Sequence, residues 1–116
     1  MSEAPPNDPA GTPATDLQID RVVQDDVNVV IEVAGELDLY TAPGLKEALF
    51  DVIAGGQAHL VLDCANLRFV DSTGLGVLVA AHKRAAERGG ELRIKSPSRI
   101  LAKLLAITKL DTVFMP

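Results

Sequence analysis

The chain is poor in aromatic residues, with three phenylalanines, one tyrosine and no tryptophan among 116 residues. Any core it builds must therefore be aliphatic. Its single cysteine, Cys64, leaves no internal disulfide, and the two histidines, His59 and His82, stand at spacings unrelated to it that do not make a zinc site. Long apolar runs are missing as well. None approaches the ~20 residues of a membrane-spanning helix, and the N-terminus lacks a basic-then-apolar leader. A cytoplasmic protein with no membrane partner is expected. Positive charge is scarce, with 11 Lys and Arg against 16 Asp and Glu and a net charge of -5. Nucleic-acid binders need a basic face to neutralise phosphates, so this balance argues against that class.

What is present is aliphatic and ordered by period. Apolar residues make up 47% of the chain, enough for one modest core in one domain. Residues 1–15, "MSEAPPNDPAGTPAT", are rich in Pro, Gly and small residues and carry no large apolar side chain after Met1. They bury too little to offset the entropy of ordering, and a disordered tail is expected there, with the folded domain over 16–116. Leu17 and Ile19 begin a period-2 pattern, Gln24-Asp25-Asp26 reads as a turn, and Val27, Val29, Ile31 and Val33 alternate strongly. Two strands so closely joined make an antiparallel hairpin.

The period then changes. Leu45, Ala48, Leu49, Val52 and Ile53 share one helical face, started near Thr41 and Pro43 and stopped by Gly55-Gly56. Leu60-Val61-Leu62 is a short apolar run suited to a central strand buried on both faces. A second helical face runs through Leu75, Leu78, Val79, His82 and Ala86 to Gly89-Gly90. "ELRIK" predicts another strand, Ser96-Pro97 a helix start, and Ile100, Leu101, Leu104 and Leu105 a third helix. Val113-Phe114 suggests a last short strand. The order ββαβαβα(β) defines an α/β fold with a mixed sheet: an antiparallel hairpin, then parallel strands from residue 60 onward with right-handed crossovers.

The most unusual stretch is "FVDSTGLGVLVA", residues 69–80, which sets Asp71-Ser72-Thr73 against a glycine-spaced apolar run. Ser72 is not a hydrolase nucleophile. The preceding glycine of G-x-S-x-G is absent, and neither His59 nor His82 is placed as a base. Gly74-Leu75-Gly76 resembles the start of a dinucleotide loop, but Val79 takes the third glycine position and no Walker lysine exists. Close packing of a helix start explains these glycines better. Asp38, Asp63 and Asp71 each follow a strand-like segment. Magnesium needs converging carboxylates, whereas single ones at strand ends are ordinary caps. No metal, cofactor or catalytic residue is expected, and Cys64 reads as a small buried apolar residue. What remains is local. Asp71, Ser72 and Thr73 are all N-cap types, one cap needs one of them, and a hydroxyl at a helix N-terminus is well placed to carry a phosphate.

"VAGELDLYTAP", then "LVLDCANLRFVDSTGLGVLVAAHKRA", then "GGELRIKSPSRILAKLLAITKLDTVF" together resemble the STAS-domain anti-sigma factor antagonists of bacteria over roughly residues 17–115. The resemblance implies a STAS-type sheet and a non-enzymatic, monomeric switch. Ser72 would be the phosphoacceptor of an anti-sigma factor with serine kinase activity, and a metal-dependent serine phosphatase would remove the phosphate. The unphosphorylated form would bind the kinase and free the sigma factor. The loop Gly35-Glu36-Leu37-Asp38 would lie beside the switch helix. The implied partner surface comprises Glu36, Asp38, Tyr40, Asp71, Ser72, Thr73, Gly74 and Leu75. Charge reversal at Asp38 is expected to weaken binding with little change in melting temperature. Thr73 stands where many members have Ser, and Lys109 where a glycine is common. Two other classes share some of these features. A STAS module can serve a transporter or bind a nucleotide. A receiver-like domain is mimicked by Asp25-Asp26 and Asp63, but it needs a helix between its first two strands.

Overall fold

A computed structural model describes residues 17–23 and 28–115. The expected tail over 1–15 and the turn at Gln24-Asp25-Asp26 lie outside the described residues. The chain runs β1 (Leu17–Val23), β2 (Asn28–Leu37), α1 (Ala42–Ala54), β3 (His59–Val70), α2 (Ser72–Glu87), β4 (Glu91–Lys95), α3 (Arg99–Thr108) and α4 (Asp111–Phe114). The four strands lie in the order β1-β2-β3-β4. β1 is antiparallel to β2, while β2, β3 and β4 are parallel, so the sheet is mixed as expected. β1 and β2 are hydrogen-bonded neighbours separated by residues 24–27 alone. That leaves no room for the helix a receiver domain requires.

The alternation in β2 decides which face is covered. Val29, Ile31 and Val33 point to the same side, and register places Val29 beside Leu60 and Leu60 beside Leu92, then Ile31 beside Leu62 and Leu62 beside Ile94. All of these side chains are buried. Leu45, Leu49, Val52 and Ile53 of α1 and Leu75, Val77, Leu78, Ala81 and Ala85 of α2 join the same core. Each large aliphatic side chain so buried contributes roughly 1.5–3 kcal/mol. The opposite face carries Glu32 next to Asp63 and Asp63 next to Lys95.

Four local expectations are corrected. β3 is not a short run but a 12-residue strand that continues through "DCANLRFV" to Val70. Its register against β2 shifts between Glu32 and Ala34 and again between Gly35 and Glu36. These bulges absorb extra residues and break the period-2 pattern, so Asp63 sits within the strand instead of after it. The buried face of α2 keeps the expected Leu75 and Leu78 but adds Gly74, Val77, Ala81 and Ala85, with Val79 and His82 only half-buried and Ala86 exposed. Small residues there allow close approach to the sheet. α3 is capped by Ser98, whose Oγ accepts from the amide of Leu101 at 3.4 Å. Ser96-Pro97 is not the cap, because Ser96 takes a left-handed φ of 52° and the chain turns before the helix begins. Finally, Val113-Phe114 belongs to the helical turn α4 and not to a strand. Phe114 is fully buried with its ring edge-on to His82, centroids 5.6 Å apart.

Candidate functional site at the start of α2

Leu37 ends β2 beside Val70, which ends β3. The two following segments therefore emerge together from one end of the sheet. From β3 comes Asp71, the N-cap of α2. Its Oδ1 accepts from the amide of Gly74 at 2.9 Å, its Oδ2 accepts from the amide of Leu39 at 3.1 Å, and its own amide donates to the Leu37 carbonyl at 3.1 Å. One side chain thus caps the helix and fastens the neighbouring loop to it. Gly74 lets this happen. A Cβ at that position would lie 2.5 Å from Leu37 Cγ and 3.0 Å from the Leu37 carbonyl oxygen.

From β2 comes the loop 38–41, closed by a second set of bonds. Asp38 Oδ1 accepts from the amides of Tyr40 at 2.9 Å and Thr41 at 3.0 Å. Thr41 Oγ1 donates to the Glu36 carbonyl at 2.8 Å and accepts from the Asp38 amide at 3.0 Å. The Asp38 carbonyl then accepts from the amide of Ala42 at 2.8 Å, starting α1. Asp38 is therefore a turn-forming residue and not a free surface charge, so its reversal would cost fold stability, contrary to expectation. The part played by Thr41 was readable as an Asp and a Thr three residues apart, a spacing typical of such turns.

The side chains that face outward are different ones. Ser72 and Thr73 are exposed, and neither hydroxyl has a partner among the described residues. The large exposed side chains of these two segments are Leu39, 59%, Phe69, 41%, and Tyr40, 87%, the last standing on the side of Leu17 to Ile19 of β1. Leu39 lies within the loop 36–40 expected to meet a partner, whereas Phe69 was not part of the expected surface. Glu36 is half-buried and reaches Arg68 Nη2 at 4.0 Å. Gly74 and Leu75 are buried, so they position the surface without offering side chains to it.

Ser72 opens α2, with Thr73 next in the first turn. Amides at this end have no intrahelical acceptor and carry the positive end of the helix dipole, a setting that stabilises an added anion. No base stands by. The Nδ1 atom of His82 lies 3.2 Å from both the amide nitrogen and the carbonyl oxygen of Leu92, tucked against Phe114 away from the helix start. Burial first, and the neighbouring Asp63 second, push the Cys64 thiol up to about 12, which makes it a poor nucleophile. Among the described residues, no three of His, Cys, Asp and Glu gather as a metal-ligand set. No helix there is long and apolar enough to cross a membrane.

The STAS domain family model matches residues 18–116. The anti-sigma-B factor antagonist of Bacillus subtilis is 36% identical over 92 residues, covering 79% of this chain and 84% of that protein. An anti-sigma factor antagonist from Mycobacterium paratuberculosis superposes with a TM-score of 0.72 at 28% identity, covering 90% of this chain and 87% of that one. The antagonist SpoIIAA in its unphosphorylated form shares the fold, with a TM-score of 0.74 at 20% identity over 84% of this chain and 86% of its own. The chain belongs to the STAS domain family, among its anti-sigma factor antagonists.

Proposed function

We propose that this protein is an anti-sigma factor antagonist whose unphosphorylated form binds an anti-sigma factor with serine kinase activity and so frees a sigma factor. Phosphorylation of Ser72 by that kinase switches binding off, and a metal-dependent serine phosphatase restores it. The protein acts by binding and not by catalysis. One observation carries the reading. Ser72 is an exposed, unpartnered hydroxyl at the first position of α2, held there by an Asp71 cap whose carboxylate oxygens are both already bonded to amides. Such a residue can accept a phosphate without dismantling anything.

The direction of the switch follows from magnitudes. Within the domain, a phosphate of about -1.5 to -2 charge at a helix N-terminus gains roughly 0.3–1 kcal/mol, and repulsion from Asp71 cancels part of this. The fold should hardly notice. Against a partner shaped for a neutral hydroxyl, a buried unpaired charge costs several kcal/mol, and about 3 kcal/mol already lowers affinity a hundredfold or more. The penalty at the interface therefore wins.

The test pairs affinity for the anti-sigma factor with backbone chemical shifts, each measured with and without phosphate. Lost affinity with shift changes confined to the start of α2 and the loop 38–41 is expected. Unchanged affinity would overturn the switch, and changes across the whole sheet would overturn the mechanism. Ser72→Ala should abolish labelling and keep binding. Phosphate mapped instead to Thr73, Ser96 or Ser98 would refute the assignment.

A further inference from the structure

We infer that the groove between the end of β3 and α3 is a second docking surface, distinct from the Ser72 face, for an acidic amphipathic segment of a protein partner. The groove encloses about 490 Å³ and is lined by Leu67, Arg68, Ser98, Arg99, Ile100 and Lys103. Three cations on one groove are a local inversion in a chain of net charge -5. Arg68 reaches Glu36 at 4.0 Å, whereas no carboxylate among the described residues pairs with Arg99 or Lys103.

The helix beside the groove has one apolar face more than the fold requires. Leu101 and Leu105 fill the core and are fully buried. Ile100 and Ile107, 36% and 68% exposed, stand outside that core on either side of Leu104, which is partly buried and packs against it. Isolated exposed aliphatic residues are ordinary, but a stripe rimmed by charge of one sign is the pattern of a helix-binding surface. Charge complementarity names the occupant, a segment with aliphatic side chains for the stripe and carboxylates for Arg99 and Lys103, beside the Arg68–Glu36 pair. A lipid surface fits less well, since membrane recognition by basic clusters takes about four to eight cations. Arg68 precedes Ser72 by four residues, so an extended strand puts their Cα atoms at most about 13 Å apart. A partner in the groove would thus sit next to the switch.

The test uses a synthetic amphipathic peptide of leucine and glutamate, its lysine counterpart, and phosphatidylglycerol–phosphatidylcholine vesicles, each titrated into the full chain and followed by amide chemical shifts. The acidic peptide should move Arg68, Arg99, Ile100, Lys103 and Ile107, and binding should weaken at high salt. Arg99→Glu with Lys103→Glu should reduce affinity about tenfold or more, with the melting temperature confirming an intact fold. Ile107→Asn should weaken binding independently of charge. Equal binding of the lysine peptide, absence of shifts in the groove with the acidic peptide, or binding of the vesicles in its place would overturn the inference.

Discussion

The Asp71 carboxylate bonds the amide of Leu39, 32 residues away in sequence, at 3.1 Å, while its other oxygen caps α2 through Gly74. Loop and helix start are thereby one unit. Asp71→Ala should cost about 1–2 kcal/mol, as the loss of a helix cap does. Chemical denaturation should show a lower midpoint with an unchanged slope, and amide exchange at Leu39 and Tyr40 should quicken. A change confined to α2 would mean that the loop is held by Asp38 and Thr41 alone.

Gly74 should tolerate no side chain. The 2.5 Å approach a Cβ would make to Leu37 Cγ forces a shift at a buried position, with an expected cost of about 1–3 kcal/mol for Gly74→Ala. Leu37→Ala removes the obstructing side-chain atoms and leaves only the carbonyl oxygen at 3.0 Å. The double variant should therefore be more stable than the two single losses sum to, with a coupling of about 0.5–3 kcal/mol in a double-mutant cycle. Strict additivity would show that the contact is not the cause.

Asp38 and Tyr40 should separate stability from recognition. Asp38→Ala removes the acceptor for two loop amides and should lower the melting temperature. Tyr40→Ala, at a side chain 87% exposed, should leave the folding free energy within about 0.5 kcal/mol of wild type while weakening partner binding. Normal binding by Tyr40→Ala would move the partner surface elsewhere.

Lys109 closes α3 in the left-handed conformation, φ 62°, where glycine is favoured. A left-handed residue with a side chain costs roughly 1–2 kcal/mol, and glycine's greater freedom in the unfolded chain returns some of the gain. Lys109→Gly should stabilise the domain by about 0.5–1 kcal/mol, a rise in melting temperature of about 2–6 °C by calorimetry. A lower melting temperature would show that the lysine side chain contributes more than its backbone costs.

Cys64 should be silent until the domain unfolds. It is 1% exposed and its thiol is pushed up to about 12 by burial and Asp63. A neutral-pH thiol reagent should label it only at denaturant concentrations that melt the sheet.

The hairpin, the buried sides of β2 and α1, and the placement of Ser72 at a helix start were all legible, because each rests on a local period or on cap chemistry. β3 was legible only in its first half. Past Leu62 the residues Asp63, Asn66 and Arg68 interrupt the apolar pattern, and the bulges that accommodate them exist only in the pairing with β2. The covered side of α2 was legible only in part because Gly74, Ala81 and Ala85 look weakly hydrophobic in sequence yet are buried. α4 is four residues long, too short for any period to distinguish it from a strand. At the start of α2, residue type marked Asp71-Ser72-Thr73 as a cap without showing that Asp71 is the one of the three that caps. The bond from Asp71 to Leu39 was not legible, since it depends on where two strands end in space.

β3 runs on for seven residues beyond Asp63, the last to pair with β4, and β2 extends past Gly35, the last to pair with β1. Among the described residues, Glu36 and Leu37 lie in register only with Phe69 and Val70. The switch stands at the end of this β2–β3 pair, buttressed from below by Leu37 and from beside by the Asp71 bond. Strand ends open at lower free energy than the sheet centre, even where, as here, Leu37, Leu67 and Val70 are buried. Hydrogen exchange should therefore reach the Ser72 end well before Leu60–Leu62, so that a partner gripping this tip would stiffen the part of the molecule with most freedom to lose.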